Sequence, residues 1–251
     1  MTFSGAFVKP FRPAFDAGLA AAAGNGLLNN LVAYWPLNEA AGANNALDAH
    51  TNGLALTHTG SPGSAAGIVY AGARTFNGSS QYFSRASETL LQTGDVDFTV
   101  AAWCYLSSLA VVANGILTKG VEYDLYYRGS GSGGPSKYRF LLSTGAYVTD
   151  IVTPTVNTWQ FIVAWHDSVA NSVYIQLNNG TITAATAATG PTPDANTLYL
   201  GTEAGVNRWN GRIGPVAMWK SAAGGGGVLS SSQRTSLWNA GAGLAYANFT
   251  T

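Results

Sequence analysis

A single cysteine, Cys104, is all the chain carries, which excludes an intrachain disulfide framework and a cysteine-rich zinc site. Charge is nearly as scarce. Lysine plus arginine number 12, aspartate plus glutamate 12, and charged residues make up 10% of the 251, against about 25% in ordinary globular chains. The net charge of zero leaves no electrostatic footprint for nucleic acid or an anionic membrane. A charge-poor surface also defends a free monomer weakly against association, so a homo-oligomer is expected. Long hydrophobic runs are missing: residues 18–35 are Ala-rich but broken by Asn25, Asn29 and Asn30, unlike the ~20 clean apolar residues of a membrane span. Near the start, Lys9 and Arg12 precede a short GLAAAAG core, but Pro10, Pro13 and Asp16 interrupt the pattern, so classical secretion is not expected. Disorder is excluded by 47% hydrophobic residues.

Glycine is what the chain has in plenty, 31 residues or roughly 12%, against a usual ≈7%. Asn-Gly recurs at Asn25, Asn52, Asn77, Asn114, Asn179 and Asn210; it tolerates positive φ at both central positions of a tight hairpin. Between these turns lie β-rich runs at 31–37, 81–84, 98–106, 123–128, 138–143, 159–166, 172–177, 197–200 and 208–219. Strands at this spacing with almost no helix predict an all-β fold, a two-sheet antiparallel jelly-roll sandwich. Period-two alternation puts Phe98, Val100, Ala102, Cys104 and Leu106 on one core face. It does the same for Trp159, Phe161, Val163 and Trp165, and for Val173, Ile175 and Leu177. Cys104 then reads as an inert buried thiol. One helix is predicted near the end, where Ser230 and Gln233 form a capping box and Gly241 marks a stop.

Residues 1–30 read as an N-terminal arm ahead of a domain spanning 31–251. Phe3, Phe7, Phe11 and Phe15 recur every four residues, while Pro10 and Pro13 forbid a continuous helix. These phenylalanines are expected either to plug a partner's clefts or to fold back on their own domain. A short helix over 16–23, started by Asp16, is also expected.

Catalytic signatures are sparse. Glycoside hydrolysis needs two carboxylates across the scissile bond, but the four glutamates, Glu39, Glu88, Glu122 and Glu203, form no paired run on one strand. Asp95 and Asp97 are the close acidic pair, placed where a turn is expected to use them. No G-x-S-x-G element is present, and His50, His58 and His166 lack metal-ligand spacing. No enzyme activity is expected.

Several segments resemble, in order, the laminin-G-like jelly rolls of the concanavalin A-like lectin/glucanase superfamily. They are LVAYWPLNEAAG, DAHTNGLAL, ARTFNGSSQYF, FTVAAWCYL, ILTKG, WQFIVAWHDSVANSVYIQLNNG, LYLGT, WNGRIGPVAMWKSA and the closing LSSSQRTSLWNAGAG. The resemblance runs over roughly residues 31–245 and implies two packed antiparallel sheets, mostly without catalysis. It maps possible calcium ligands onto Asp48, Glu122 and Glu203, although Gly214 and Pro215 stand where acids often follow in the family. It also makes glycan stacking a candidate role for Trp103, Tyr105 and Tyr174 on an outer face, and for Tyr123, Trp209 and Asn210 near loops. The alternative is that an arm or neighbouring subunit covers that aromatic face.

Scarce charge, an aromatic arm and a missing leader point to a structural protein made in a host cytoplasm and displayed on a bacteriophage virion. A capsid decoration protein gripping its neighbours through the arm is the first expectation. A glycan-binding lectin module or a tail or fibre subunit is the alternative.

Overall fold

The computed structural model describes residues 24–109, 113–150 and 152–251. Fifteen strands are seen among them. The first eight are β1 (Leu31–Trp35), β2 (Thr57–Thr59), β3 (Gly63–Ala66), β4 (Gly72–Asn77), β5 (Tyr82–Arg85), β6 (Asp97–Leu106), β7 (Ala113–Lys119) and β8 (Tyr123–Arg128). Then follow β9 (Lys137–Leu142), β10 (Tyr147–Thr149), β11 (Trp159–Asp167), β12 (Ser172–Leu177), β13 (Ile182–Thr186), β14 (Leu198–Leu200) and β15 (Asn210–Ser221). One α-helix, α1 (Ser231–Trp238), comes near the end.

The strands form two antiparallel sheets. One has eight strands, ordered β13-β12-β11-β6-β15-β4-β3, with β1 also on β15; the other has seven, ordered β10-β9-β8-β7-β14-β5-β2. β15 serves two neighbours on one side, β4 along 210–213 and β1 along 216–219, with a register shift between Ile213 and Val216. Gly214 and Pro215 lie in that shift, where a residue without an N–H is tolerated. The expected jelly-roll sandwich is the fold observed.

Inward faces of both sheets meet in one core that includes Trp35, Phe83, Phe98, Tyr123, Phe140 and Trp209. Phe98, Val100, Ala102, Cys104 and Leu106 all join it, as alternation predicts. Cys104 is fully buried, burial pushes its thiol pKa up to about 12, and its Sγ lies 3.3 Å from the Tyr138 hydroxyl.

β11 corrects one expectation. Ile162 and Ala164 face the core, while Phe161, Val163 and Trp165 face outward. The reason is a second hydrophobic layer on the outer face of the eight-stranded sheet, built with Leu27, Trp103, Trp219, Leu237 and Phe249. Both faces of β11 are buried, so alternation there cannot distinguish inside from outside.

The chain's own C-terminal segment provides that cover. α1 opens with the predicted capping box, Ser230 accepting from Gln233 N and Gln233 accepting from Ser230 N, and ends at Asn239 in the left-handed region (φ 46°). Residues 24–30, which the sequence reading places in the arm, pack here. Asn25 N donates to Thr250 Oγ1 at 2.6 Å, Leu28 N to Thr250 O at 2.9 Å, and Trp219 Nε1 to Leu27 O at 2.8 Å. Phe3, Phe7, Phe11 and Phe15, and the expected 16–23 helix, lie outside the described residues.

Candidate functional site

The three carboxylates mapped to calcium are committed elsewhere. Asp48 Oδ1 accepts from Tyr34 N at 3.0 Å and His50 N at 2.9 Å, and Oδ2 accepts from Leu54 N at 2.9 Å. This is turn chemistry: one side chain satisfies three backbone donors. Glu122 is fully buried. Its Oε1 pairs with the Lys119 ammonium and accepts from Asp194 N at 3.2 Å, while Oε2 accepts from Thr93 N at 2.5 Å and Thr93 Oγ1 at 2.9 Å. Lys119 also donates to Asp194 O at 2.9 Å, so an internal ammonium occupies the centre of this cage. Glu203 lies apart, accepting at Oε2 from Asn207 Nδ2 at 2.7 Å. Among the described residues no three His, Cys, Asp or Glu side chains gather as a metal would need. Asp95 and Asp97 also serve turns, through Gly190 N at 3.0 Å, and through Ser168 N at 3.0 Å and Gly224 N at 2.7 Å.

Of the six residues proposed for glycan stacking, three are sealed. Trp103 is 3% exposed, Tyr123 1% and Trp209 0%. Trp103 stacks on Trp238 of the covering helix at 5.4 Å, so the cover expected from an arm or neighbour comes from the chain itself. Tyr123 and Trp209 belong to the inter-sheet core because their strands turn those positions inward. Tyr105, Tyr174 and Asn210 stay half-buried; Asn210 is the diagonal neighbour of Tyr105, while Tyr174 lies two strands away on β12. Tyr105 meets Trp159 at 5.7 Å with Arg212 over its ring at 4.5 Å; Tyr174 stacks on Trp165 at 4.9 Å. Asn210 opens β15 beside Gly78.

A different surface collects functional groups: the outer face of the seven-stranded sheet. β8 sends Tyr123, Leu125 and Tyr127 into the core, so Asp124, Tyr126 and Arg128 project from the opposite face. Register places Thr118 of β7 opposite Asp124, and Arg139 and Lys137 of β9 opposite Tyr126 and Arg128. Arg139 lies 4.2 Å over the Tyr147 ring of β10, and its Nε donates to Thr149 Oγ1 at 3.0 Å. Farther across the sheet, Tyr82 and Tyr199 meet edge to face at 5.9 Å.

Residues 201–209 fold back over this face. Thr118 Oγ1 donates to Thr202 O at 3.0 Å, and Gly115 N donates to Asn207 O at 3.0 Å. Gly115 is needed for that approach, because a Cβ would stand 2.3 Å from the Thr202 carbonyl. The loop brings Glu203 into the field of Asp124 and Arg208 to 5.9 Å over Tyr82.

Asp124 is the outlier of the group. It is 8% exposed, and its Oδ1 is sealed from solvent without a hydrogen-bond partner among the described residues. Burial first, and the Glu203 carboxylate second, raise its pKa to about 7. Burial likewise raises Tyr126, whose hydroxyl interacts with Arg139. Such a face can stack a ring on exposed Tyr147 and offer guanidinium forks to hydroxyls and anions. The sequence reading missed it by taking aromatics as the signal. In YDLYYR the alternate set, Asp124, Tyr126 and Arg128, was the polar face of a strand already assigned.

Residues 77–225 match the family described as the concanavalin A-like lectin/glucanases superfamily. No curated protein sequence matches the chain. Solved structures that resemble it include the binding domain of Paraclostridial Mosquitocidal Protein 1, with TM-score 0.60 and 12% identity over 85% of this chain and 53% of that one. Domain 4 of AbnA, a GH43 extracellular arabinanase from Geobacillus stearothermophilus solved with arabinotriose, gives TM-score 0.57 and 16% identity over 81% and 98%. Trypanosoma rangeli sialidase gives 0.59 and 13% over 86% and 34%. The chain thus spans about half of the mosquitocidal binding domain and a third of the sialidase. At these identities the likeness is one of fold.

Proposed function

The chain belongs to the concanavalin A-like lectin/glucanases superfamily, and from that premise we propose that it is a non-catalytic saccharide-binding module. One observation carries the reading. The outer face of the seven-stranded sheet sets a nine-tenths buried carboxylate with an unpartnered oxygen among tyrosines and arginines. Keeping such a group costs folding stability, and strongly perturbed carboxylates cluster at functional sites. The resemblance to a domain solved with arabinotriose supports the same class of ligand. Titration calorimetry against neutral and acidic oligosaccharides tests it. Tyr147→Ala, at a 49% exposed position, should weaken binding by about tenfold, the cost of truncating a central aromatic contact. Binding unaffected by both Tyr147→Ala and Asp124→Asn would remove the site from this face.

Asp124 and Glu203 favour a second reading, since the Glu203 carboxylate acts on Asp124 and hydrolases use carboxylate pairs. A general acid must reach the glycosidic oxygen, however, and one Asp124 oxygen is sealed. Reducing-end release lost in both Asp124→Asn and Glu203→Gln would establish hydrolysis instead.

The setting we propose is the surface of a bacteriophage virion, as a head decoration protein or a tail or fibre subunit. Scarce charge and the phenylalanines at 3, 7, 11 and 15 support it. A saccharide site on such a particle would meet the host cell surface.

A further inference from the structure

We infer that the saccharide this face takes is anionic, and that Arg128 and Arg139 receive its carboxylate or sulfate; the inference rests on the saccharide-binding reading of the same face. Arg139 stands opposite Tyr126, and Arg128 lies two residues beyond Tyr126 on β8. The two arginines are therefore diagonal neighbours on adjacent strands, with Cα atoms about 7–8 Å apart. Both are half-buried, and neither forms a salt bridge with a described residue. Lys137, opposite Arg128, lies in the field of Asp150 and is not needed for the argument.

Two like charges at diagonal positions on adjacent strands repel each other, and an anion bound between them relieves this. This chain has only 12 basic residues, so two arginines without a salt bridge on one face are not a by-product of a crowded charged surface; Glu203 lies in the field of Tyr126, as both arginines do. Arg139 is also pre-aimed. Its Nε is held by Thr149 Oγ1 and its plane by Tyr147, so little freedom is lost when the fork engages an oxyanion. Along β8 the outer face then reads carboxylate, phenol, guanidinium at Asp124, Tyr126 and Arg128. The sugar ring would stack on exposed Tyr147 while the arginines take its acidic substituent. The sealed, partnerless Asp124 oxygen on the same face is an observation independent of the arginines.

The test uses the full chain and four probes in titration calorimetry: trigalacturonic acid, its methyl ester, a sulfated galactan tetrasaccharide and its desulfated form. A neutral panel of gluco-, galacto-, manno- and arabino-oligosaccharides runs alongside. At least one acidic form should bind about tenfold tighter than its neutralised partner, the worth of a charge-assisted hydrogen bond; which pair shows it separates carboxylate from sulfate. Arg128→Gln should bring that preference close to one. Arg139→Lys, which keeps charge but loses the fork, should retain only part of it. Unchanged melting temperatures would show that both variants fold. Neutral probes binding as well as acidic ones would overturn the anionic inference and leave saccharide binding standing. The same holds for an acid preference that survives both arginine changes. Binding to no probe and to no member of the neutral panel would overturn both.

Discussion

Asp124 holds its proton more tightly in the folded chain than in the unfolded one, and this gives a pH-dependent stability with a defined sign. Its pKa rises from 3.8 to about 7 on folding. Between those values the folded state binds more protons, so stability falls as pH rises through the window. A shift of about three units is worth on the order of 4 kcal/mol. Asp124→Asn should therefore melt higher than the parent at pH 8, and the difference should vanish near pH 4. A constant difference across pH would show that Asp124 is not the titrating group. Asp48 makes the opposite case. Three backbone donors depend on it, so Asp48→Ala should cost about 1–3 kcal/mol. Millimolar calcium should not raise the melting temperature of the parent over that in chelator. Two of the three donors, His50 N and Leu54 N, lie within the next six residues, where an aspartate ahead of Asn-Gly serves its own turn. Asp124 was not legible in the sequence, because its partner in electrostatics, Glu203, arrives from a loop beyond β14. The i, i+2 spacing of Glu122 and Asp124 pointed at it, but Glu122 is committed to Lys119 and Thr93.

Strands rich in β-branched and aromatic residues were readable whatever their length: three-residue β14 was read, while seven-residue β7, ANGILTK, was not among the runs. β6, β8, β11, β12 and β15 carry enough β-branched and aromatic residues to declare themselves. β2, β3 and β13, with sequences THT, GSAA and ITAAT, lie at sheet edges, where partners rather than propensity define them. Two Asn-Gly pairs also sit inside strands, Asn114 in β7 and Asn210 in β15, not in turns. α1 was legible through its capping box, but the layer beneath it was not: period-two alternation cannot report a sheet covered on both sides. That cover can be tested as an element. Leu237 is 5% exposed within the second hydrophobic layer, so Leu237→Ala should destabilise by about 2–5 kcal/mol. It should raise binding of a hydrophobic dye while leaving saccharide affinity intact, because α1 sits on the opposite sheet from the candidate site. Loss of saccharide binding at unchanged stability would instead place the ligand under the helix.

At the scale of the molecule, the two outer faces have been given different tasks. The eight-stranded sheet is capped by residues 24–30, α1 and the tail around Phe249, while the seven-stranded sheet presents Tyr126, Arg128, Arg139 and Tyr147 beside a short loop. Among the described residues, the clamp between Asn25, Leu28 and Thr250 closes the sandwich on itself. Removing residues 2–16 should therefore leave the melting temperature and saccharide affinity of the domain nearly unchanged. What should change is association. With charged residues at 10%, the surface gives weak protection against contact, and Phe3, Phe7, Phe11 and Phe15 are four large apolar groups whose burial favours a partner by roughly 1.5–3 kcal/mol each. Backbone pairing with a partner's sheet edge would add to that. The truncated chain should stay folded but lose its place in any assembly the full chain joins, as read by sedimentation of the two forms and by their incorporation into particles. Equal incorporation would mean that the phenylalanines serve their own domain. A large drop in melting temperature would say the same by a second route, because an arm that only grips neighbours contributes nothing to the isolated fold.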